Sequence, residues 1–205
     1  CLTFGGGVFS GDLMWYADAY SEADVYAYYP YSESGTPTAY FAVEDQTDGI
    51  AKADLMAAVK KGVLPTPNAI TMVFKHLMTK LVINIDNQSG AEVTGVEIGG
   101  CRLVTGLDIS EMALTKYTDI VIEAEPLIKA YEATAGKVWQ AIVIPDKAKL
   151  EIIVNLSNGK KITQPLAEMT LKSGGQYTIN ARLLQDNMIV SASGEIENWT
   201  DEGEI

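Results

Sequence analysis

The chain has 205 residues, 47% hydrophobic and 20% charged, enough for one large or two small globular domains with a sizeable core. Its formal net charge of −12 excludes the Lys/Arg surface that nucleic-acid phosphates or an anionic membrane face require. No apolar run reaches the roughly 18 residues of a membrane span, and two cysteines, Cys1 and Cys101, do not make a disulfide framework.

The chain opens on cysteine, and Cys1-Leu2-Thr3-Phe4 has neither the basic start nor the long apolar region of a signal peptide. A mature bacterial lipoprotein also begins on cysteine, so Cys1 is a candidate for lipid attachment. Residues 3–9 read as a short strand interrupted by glycines, or as a loop. Residues 25–31 hold four tyrosines broken by Pro30; the aromatic run favours a strand and the proline limits it. After a turn cluster at 32–38, residues 38–43 form a second strand, and 44–49 a polar loop. Asp54 is placed to cap a short helix over Leu55 to Lys61, with Gly62 as its stop. Pro65 and Pro67 force an extended connection.

The second half reads mostly as strands. Ala69 to Phe74 is one. Thr79 to Asp86 alternates, with Leu81, Ile83 and Ile85 on one face and Lys80, Asn84 and Asp86 on the other. Val93 to Ile98 follows the turn at 87–90. Residues 101–136 are the least regular, with Thr118 to Glu123 a strand candidate. Trp139 to Ile144 is stopped by Pro145. Leu150 to Leu156 and Lys161 to Pro165 flank Asn158-Gly159, the clearest hairpin signal in the chain. Gln176 to Leu184 places Tyr177, Ile179, Ala181 and Leu183 on one face, and Asp186-Asn187 turns it into Met188 to Ser193. Many short strands with turn punctuation and few helices give an all-β sandwich architecture. A composition change near residues 75–79 places a boundary between domains 1–77 and 78–205.

No catalytic constellation stands out. His76, the single histidine, would have to serve any Ser–His–Asp or Cys–His pair. Its setting, Phe74-Lys75-His76-Leu77-Met78, reads instead as a packed or hydrogen-bonded histidine at a domain junction. One histidine and two distant cysteines do not supply a zinc set, and the acidic loops at 44–48 and 201–204 lack the spaced ligands of a calcium loop. Gly5-Gly6-Gly7 is followed by no Lys-Ser/Thr and cradles no phosphate. The expectation is no enzyme, no metal and no cofactor. Tyr16, Tyr20, Tyr26, Tyr28, Tyr29 and Tyr31 read as core and interface packing; the alternative is a carbohydrate-binding module that stacks sugars on exposed tyrosines.

Four segments in order carry a resemblance. They are Ala27-Tyr28-Tyr29-Pro30-Tyr31-Ser32; Asp45-Gln46 followed by Ala53-Asp54-Leu55-Met56; Val73 through Leu81 around His76; and Tyr177 to Leu183, then Ile189 to Ser193 and a terminal Ile196 to Trp199. Together they resemble the fimbrillin-like proteins of Bacteroides-type bacteria, the subunits of type V pili and related surface lipoproteins. The resemblance implies two transthyretin-like Greek-key sandwiches and one or more roles as pilus stalk, tip or anchor. It implies export by a lipoprotein route to the outer membrane and cell surface. It further implies β-strand exchange with other pilus subunits or with itself, and adhesion to a host glycan or protein. Few residues precede the Tyr-Tyr-Pro segment, so the N-terminal sandwich is expected to be incomplete at its start. The residues singled out are structural: Tyr28, Tyr29 and Pro30 fix the N-terminal strand; Phe74, His76 and Leu77 sit at the junction; Trp199 plugs the C-terminal sandwich.

Overall fold

A computed structural model describes residues 3–5, 8–10, 15, 20–31, 39–115 and 127–198. In chain order these form β1 (Thr3–Gly5), β2 (Val8–Ser10), β3 (Ala23–Tyr29) and β4 (Ala39–Phe41), then β5 (Met56–Val63), β6 (Lys75–His76), β7 (Thr79–Asn87) and β8 (Val93–Gly99). There follow β9 (Val104–Asp108), β10 (Ala113–Thr115), β11 (Ile128–Lys129), β12 (Tyr131–Thr134) and β13 (Val138–Val143). The last are β14 (Lys147–Ala148), β15 (Glu151–Leu156), β16 (Lys161–Pro165), β17 (Met169–Thr170), β18 (Gly175–Leu183) and β19 (Met188–Asn198).

The second half is a β-sandwich. One sheet has the order β11-β8-β15-β16 and the other β12-β13-β7-β18-β19. Pairing is antiparallel except between β7 and β18, which run parallel with Leu81 beside Tyr177 and Ile83 beside Ile179. Period-two alternation sets which side chains meet between the layers. From β7 come Leu81 and Ile83, from β8 Val96 and Ile98, from β15 Ile152 and Val154, and from β18 Ile179 and Leu183, all essentially inaccessible. The Asn158-Gly159 hairpin forms as read, with Gly159 at φ +81 and Asn155 opposite Lys161. Cys101 packs against this core as a free thiol, and burial pushes it up to about 12. With almost no thiolate at neutral pH, Cys101 alkylation by iodoacetamide, followed by peptide mass mapping, is expected only as fast as the protein unfolds.

The first half forms the sheet β3-β5-β6, and its β4 joins β9 and β10 of the second half in the sheet β10-β9-β4. Because β9 pairs with β4, residues 104–108 share a sheet with residues 39–41. A second apolar cluster joins Ala53, Leu55 and Ala57 to Leu77, Met78, Leu107, Ile142 and Ile144.

Two expected elements are overturned. Residues 55–61 are no helix: Met56, Ala57 and Ala58 are buried in β5. They lie between Tyr29, Tyr28 and Ala27 on one side and the short β6 on the other. A seven-residue helix is marginal by itself, and pairing on both sides prevails. The two signals that suggested it serve other ends. Asp54 bonds His76 rather than capping. Gly62, at φ +65, absorbs an extra residue of β5 where the register slips between Ala23 and Val25. The helical turn that the described residues do show is a 3-10 turn, Ala51–Ala53. Residues 69–74 are no strand either. Exposure alternates along them, but they belong to no sheet, and the ladder begins only at Lys75. Alternation reports one half-covered face, not a hydrogen-bonding neighbour. The strands β9 to β12 fall in the stretch read as irregular, and the candidate at 118–123 lies outside the described residues.

Candidate functional site

The polar residues of the quoted segments converge where the first half meets the second. Gln46 is 1% exposed, and its carboxamide clasps one residue of β13. Its Oε1 accepts Ile142 N–H at 2.8 Å. Its Nε2 donates to Ile142 O at 2.8 Å and to Val43 O at 2.9 Å. The side chain thereby stands in for one peptide unit of a neighbouring strand.

Next to it, Asp45 bridges to Lys129 in main chain and side chain, with Lys129 Nζ donating at 2.8 Å. That bond, together with those from the Thr47 hydroxyl and amide, lowers the Asp45 carboxyl to about 2. A depressed folded-state pKa contributes stability above the unfolded value near 3.8 and loses it as pH falls toward about 2. NMR titration should find this low midpoint in the native protein, and Lys129→Met should raise it part of the way back, the Thr47 bonds remaining.

The strand lead-in that carries the remaining junction residues is pinned from several directions. His76 Nδ1 lies 2.7 Å from Asp54 Oδ2, with 11% and 7% of the two side chains accessible. Leu77 N–H donates to Leu55 O at 2.9 Å, while the Ser173 hydroxyl and Gly174 N–H donate to Leu77 O and Met78 O, each at 2.9 Å. Leu77 is buried in the second cluster and Phe74 is half-buried. The Tyr177 hydroxyl closes this turn, donating to Thr170 O at 2.9 Å and accepting from Lys172 N–H at 3.0 Å. His76 is thus hydrogen-bonded to an acid partner with its side chain largely covered. Among the described residues no three His, Cys, Asp or Glu side chains gather as a metal set.

The tyrosine strand shares a sheet with His76, with Met56 of β5 standing between Tyr29 and His76. β3 is the outer strand of its sheet, bonded to β5 on one side and to no described strand on the other. Tyr28 packs on the second cluster, whereas Tyr26 and Tyr29 are 38% and 37% exposed. The chain then leaves through a cis Tyr29-Pro30 bond. Tyr20 and Tyr31 are largely exposed. Cys1, Tyr16 and Trp199 lie outside the described residues. Sequence reasoning had Asp54 as a helix cap and Asp45 and Gln46 in a polar loop, and all three as part of the resemblance, but gave none of them these partners. Their bonds to Lys129, Ile142 and His76 span 84, 96 and 22 positions, and no local pattern encodes them.

A family model for fimbrillin-like proteins matches residues 2–199, nearly the whole chain. The chain belongs to the fimbrillin-like family. Solved structures agree with that fold. A Bacteroides ovatus protein provisionally named for cell adhesion superposes with a TM-score of 0.71 at 21% identity, over 95% of this chain and 76% of its own. A Bacteroides uniformis protein named in the same way gives 0.67 at 22% identity, over 86% and 73%. A search of curated proteins finds no match. As a fimbrillin-like protein the chain is a structural component of a cell-surface appendage, in a family of fimbrial subunits.

Proposed function

We propose that this fimbrillin-like protein is a pilus subunit or accessory tip or anchor component that joins its neighbours by β-strand addition, with β3 as an acceptor edge. The observation that carries the reading is the outer position of β3, with no described strand on its far side and Tyr26 and Tyr29 exposed along it. An outermost strand is where β-strand addition extends a sheet, and alternate side-chain positions supply fit. Tyr28, Tyr29 and Pro30 then shape that edge. Phe74, His76 and Leu77 hold the division at 77/78, which the β4–β9 pairing crosses, and Trp199 closes the far end. Attachment through a lipidated Cys1 to the outer membrane belongs to the same proposal.

The test is the oligomer ladder of envelope-derived protein in unheated detergent gels, read beside its intact mass. A heat-sensitive ladder that collapses to monomer in Tyr29→Lys, with the melting temperature kept within a few degrees, is the expected result; a charge on the edge opposes pairing. A single monomeric species in the wild type, or a ladder unchanged by Tyr29→Lys, would overturn β3 as the acceptor.

A further inference from the structure

The outer face of the sheet β12-β13-β7-β18-β19 carries an open depression of about 810 Å³, walled on one side by the β12–β13 turn at Gly136 and Lys137. Its floor is built in rungs. Asn84 of β7 sits beside Asn180 of β18, which faces Ser191 of β19; one step on, Asp86 sits beside Arg182, which faces Ile189. Asn84 Nδ2 donates to Asn180 Oδ1 at 2.9 Å, which leaves Asn84 Oδ1 to accept and Asn180 Nδ2 to donate. Arg182 Nε donates to Asp86 Oδ2 at 3.0 Å, and Gln88 Nε2 donates to the same oxygen at 3.0 Å. These bonds use Asp86 Oδ2 and Arg182 Nε, and both side chains are more than half accessible. The wall is fixed by Gly136 N–H donating to Glu132 Oε1 at 2.7 Å and by Lys137 N–H donating to Thr134 O at 2.9 Å.

We propose that this depression binds a glycan through vicinal hydroxyls. A sugar hydroxyl both donates and accepts, so a diol fits a floor where acceptor and donor alternate at neighbouring positions. Asn84 Oδ1 with Asn180 Nδ2 offers one such couple, and Asp86 Oδ1 with the Arg182 terminal nitrogens the next. The partners already hold one another, so little side-chain freedom is lost on binding. Ile189, 59% exposed, gives the apolar patch against which the C–H face of a pyranose ring can lie. An apolar ligand would strip these polar groups of water without replacing its bonds. The depression is open and has no aromatic lining, so affinity for a single sugar is set in the millimolar range.

Side-chain amide signals of Asn84 and Asn180 in a 15N–1H NMR titration test this directly, with methyl α-mannoside and methyl β-galactoside as probes. Saturable shifts of both signals are expected, with the affinity weakened about tenfold or more in Arg182→Ala and, read from the Asn84 signal, in Asn180→Ala. Both substituted side chains are on the solvent face, and an unchanged backbone spectrum verifies the fold. Absence of saturable shifts with either probe up to about 100 mM would overturn the site. So would shifts confined to residues around Tyr20 and Tyr31 that persist in Asn180→Ala. The site is independent of assembly: Tyr29→Lys should bind the same sugars whether or not its oligomer ladder is lost.

Discussion

Gly100→Ala should be among the most damaging single-methyl changes in this protein, lowering stability by about 3–5 kcal/mol. Gly100 follows the last residue of β8 at φ +72, a left-handed conformation that costs a side-chain-bearing residue about 1–2 kcal/mol. The larger part is steric. A Cβ at this position would sit 2.1 Å from the carbonyl oxygen of Lys149, 3.1 Å from its carbon and 3.4 Å from Leu150 Cα. All three are backbone atoms at the entry to β15, so no rotamer change relieves the contact. The adjoining ladder places Gly99 opposite Glu151 and Ile98 opposite Ile152, with Ile98, Leu150 and Ile152 fully buried. Relief therefore demands moving one sheet edge in a close-packed core. Gly136→Ala and Gly159→Ala are the controls. Both glycines have positive φ, +63 and +81, but an added Cβ meets nothing within 4 Å. Each should lose only the conformational part, about 1–2 kcal/mol. In thermal denaturation the Gly100 variant should melt roughly 8–15 °C below wild type and the controls within about 6 °C. Equal losses in all three would show that the backbone approach at Lys149 contributes nothing.

The contrast among these glycines mirrors what the amino-acid sequence reveals and what it leaves out. Tyr177, Ile179, Ala181 and Leu183 announce their strand because one face of β18 is buried and the other is wet, which imposes period two. Asn158-Gly159 announces its hairpin because the turn demands positive φ. Where burial is two-sided, the signal vanishes. Val104, Thr105, Gly106 and Leu107 are all buried in β9, with a glycine among them, so neither period nor composition marks the strand. Strands of two residues, such as β11, β14 and β17, are too short to carry a period at all. Residues 54–62 mislead for another reason. A capping-type aspartate and a stop-type glycine are real local signals, yet the aspartate is recruited by His76 and the glycine by a bulge. Local preference is worth tenths of a kcal/mol per residue and yields to pairing. The sandwich and the family were legible, since they rest on alternation and on ordered segments. The junction was not, because it consists of bonds between residues far apart in the chain.

Gln46→Ala should cost about 2–4 kcal/mol, more than is usual for a polar residue in a loop. The reason lies in the edge of β13. β12 covers its outer side through Tyr131 opposite Gln140 and Thr134 opposite Val138. At Ile142 that side is met by the Gln46 carboxamide instead. Ile142 is fully buried, so removing the carboxamide strands its N–H and C=O away from water, at about 1–3 kcal/mol per group. Gln46→Glu separates this account from mere loss of packing. The substituted side chain keeps nearly the same volume and an oxygen for Ile142 N–H, but as a carboxylate it presents acceptors to the carbonyls of Val43 and Ile142. Its neutral form can donate one bond again. The folded state therefore holds the introduced carboxyl above its unfolded pKa of about 4.3. For a raised acid the stability contribution is full below the unfolded value and is lost as pH rises through the folded one. Asp45 titrates in the opposite sense, so the quantity to read is the stability of Gln46→Glu minus that of wild type at each pH. That difference should be small near pH 4 and widen to at least the cost of Gln46→Ala by pH 7. A difference that stays flat across this range would mean that Gln46 fills space beside β13 without completing its ladder.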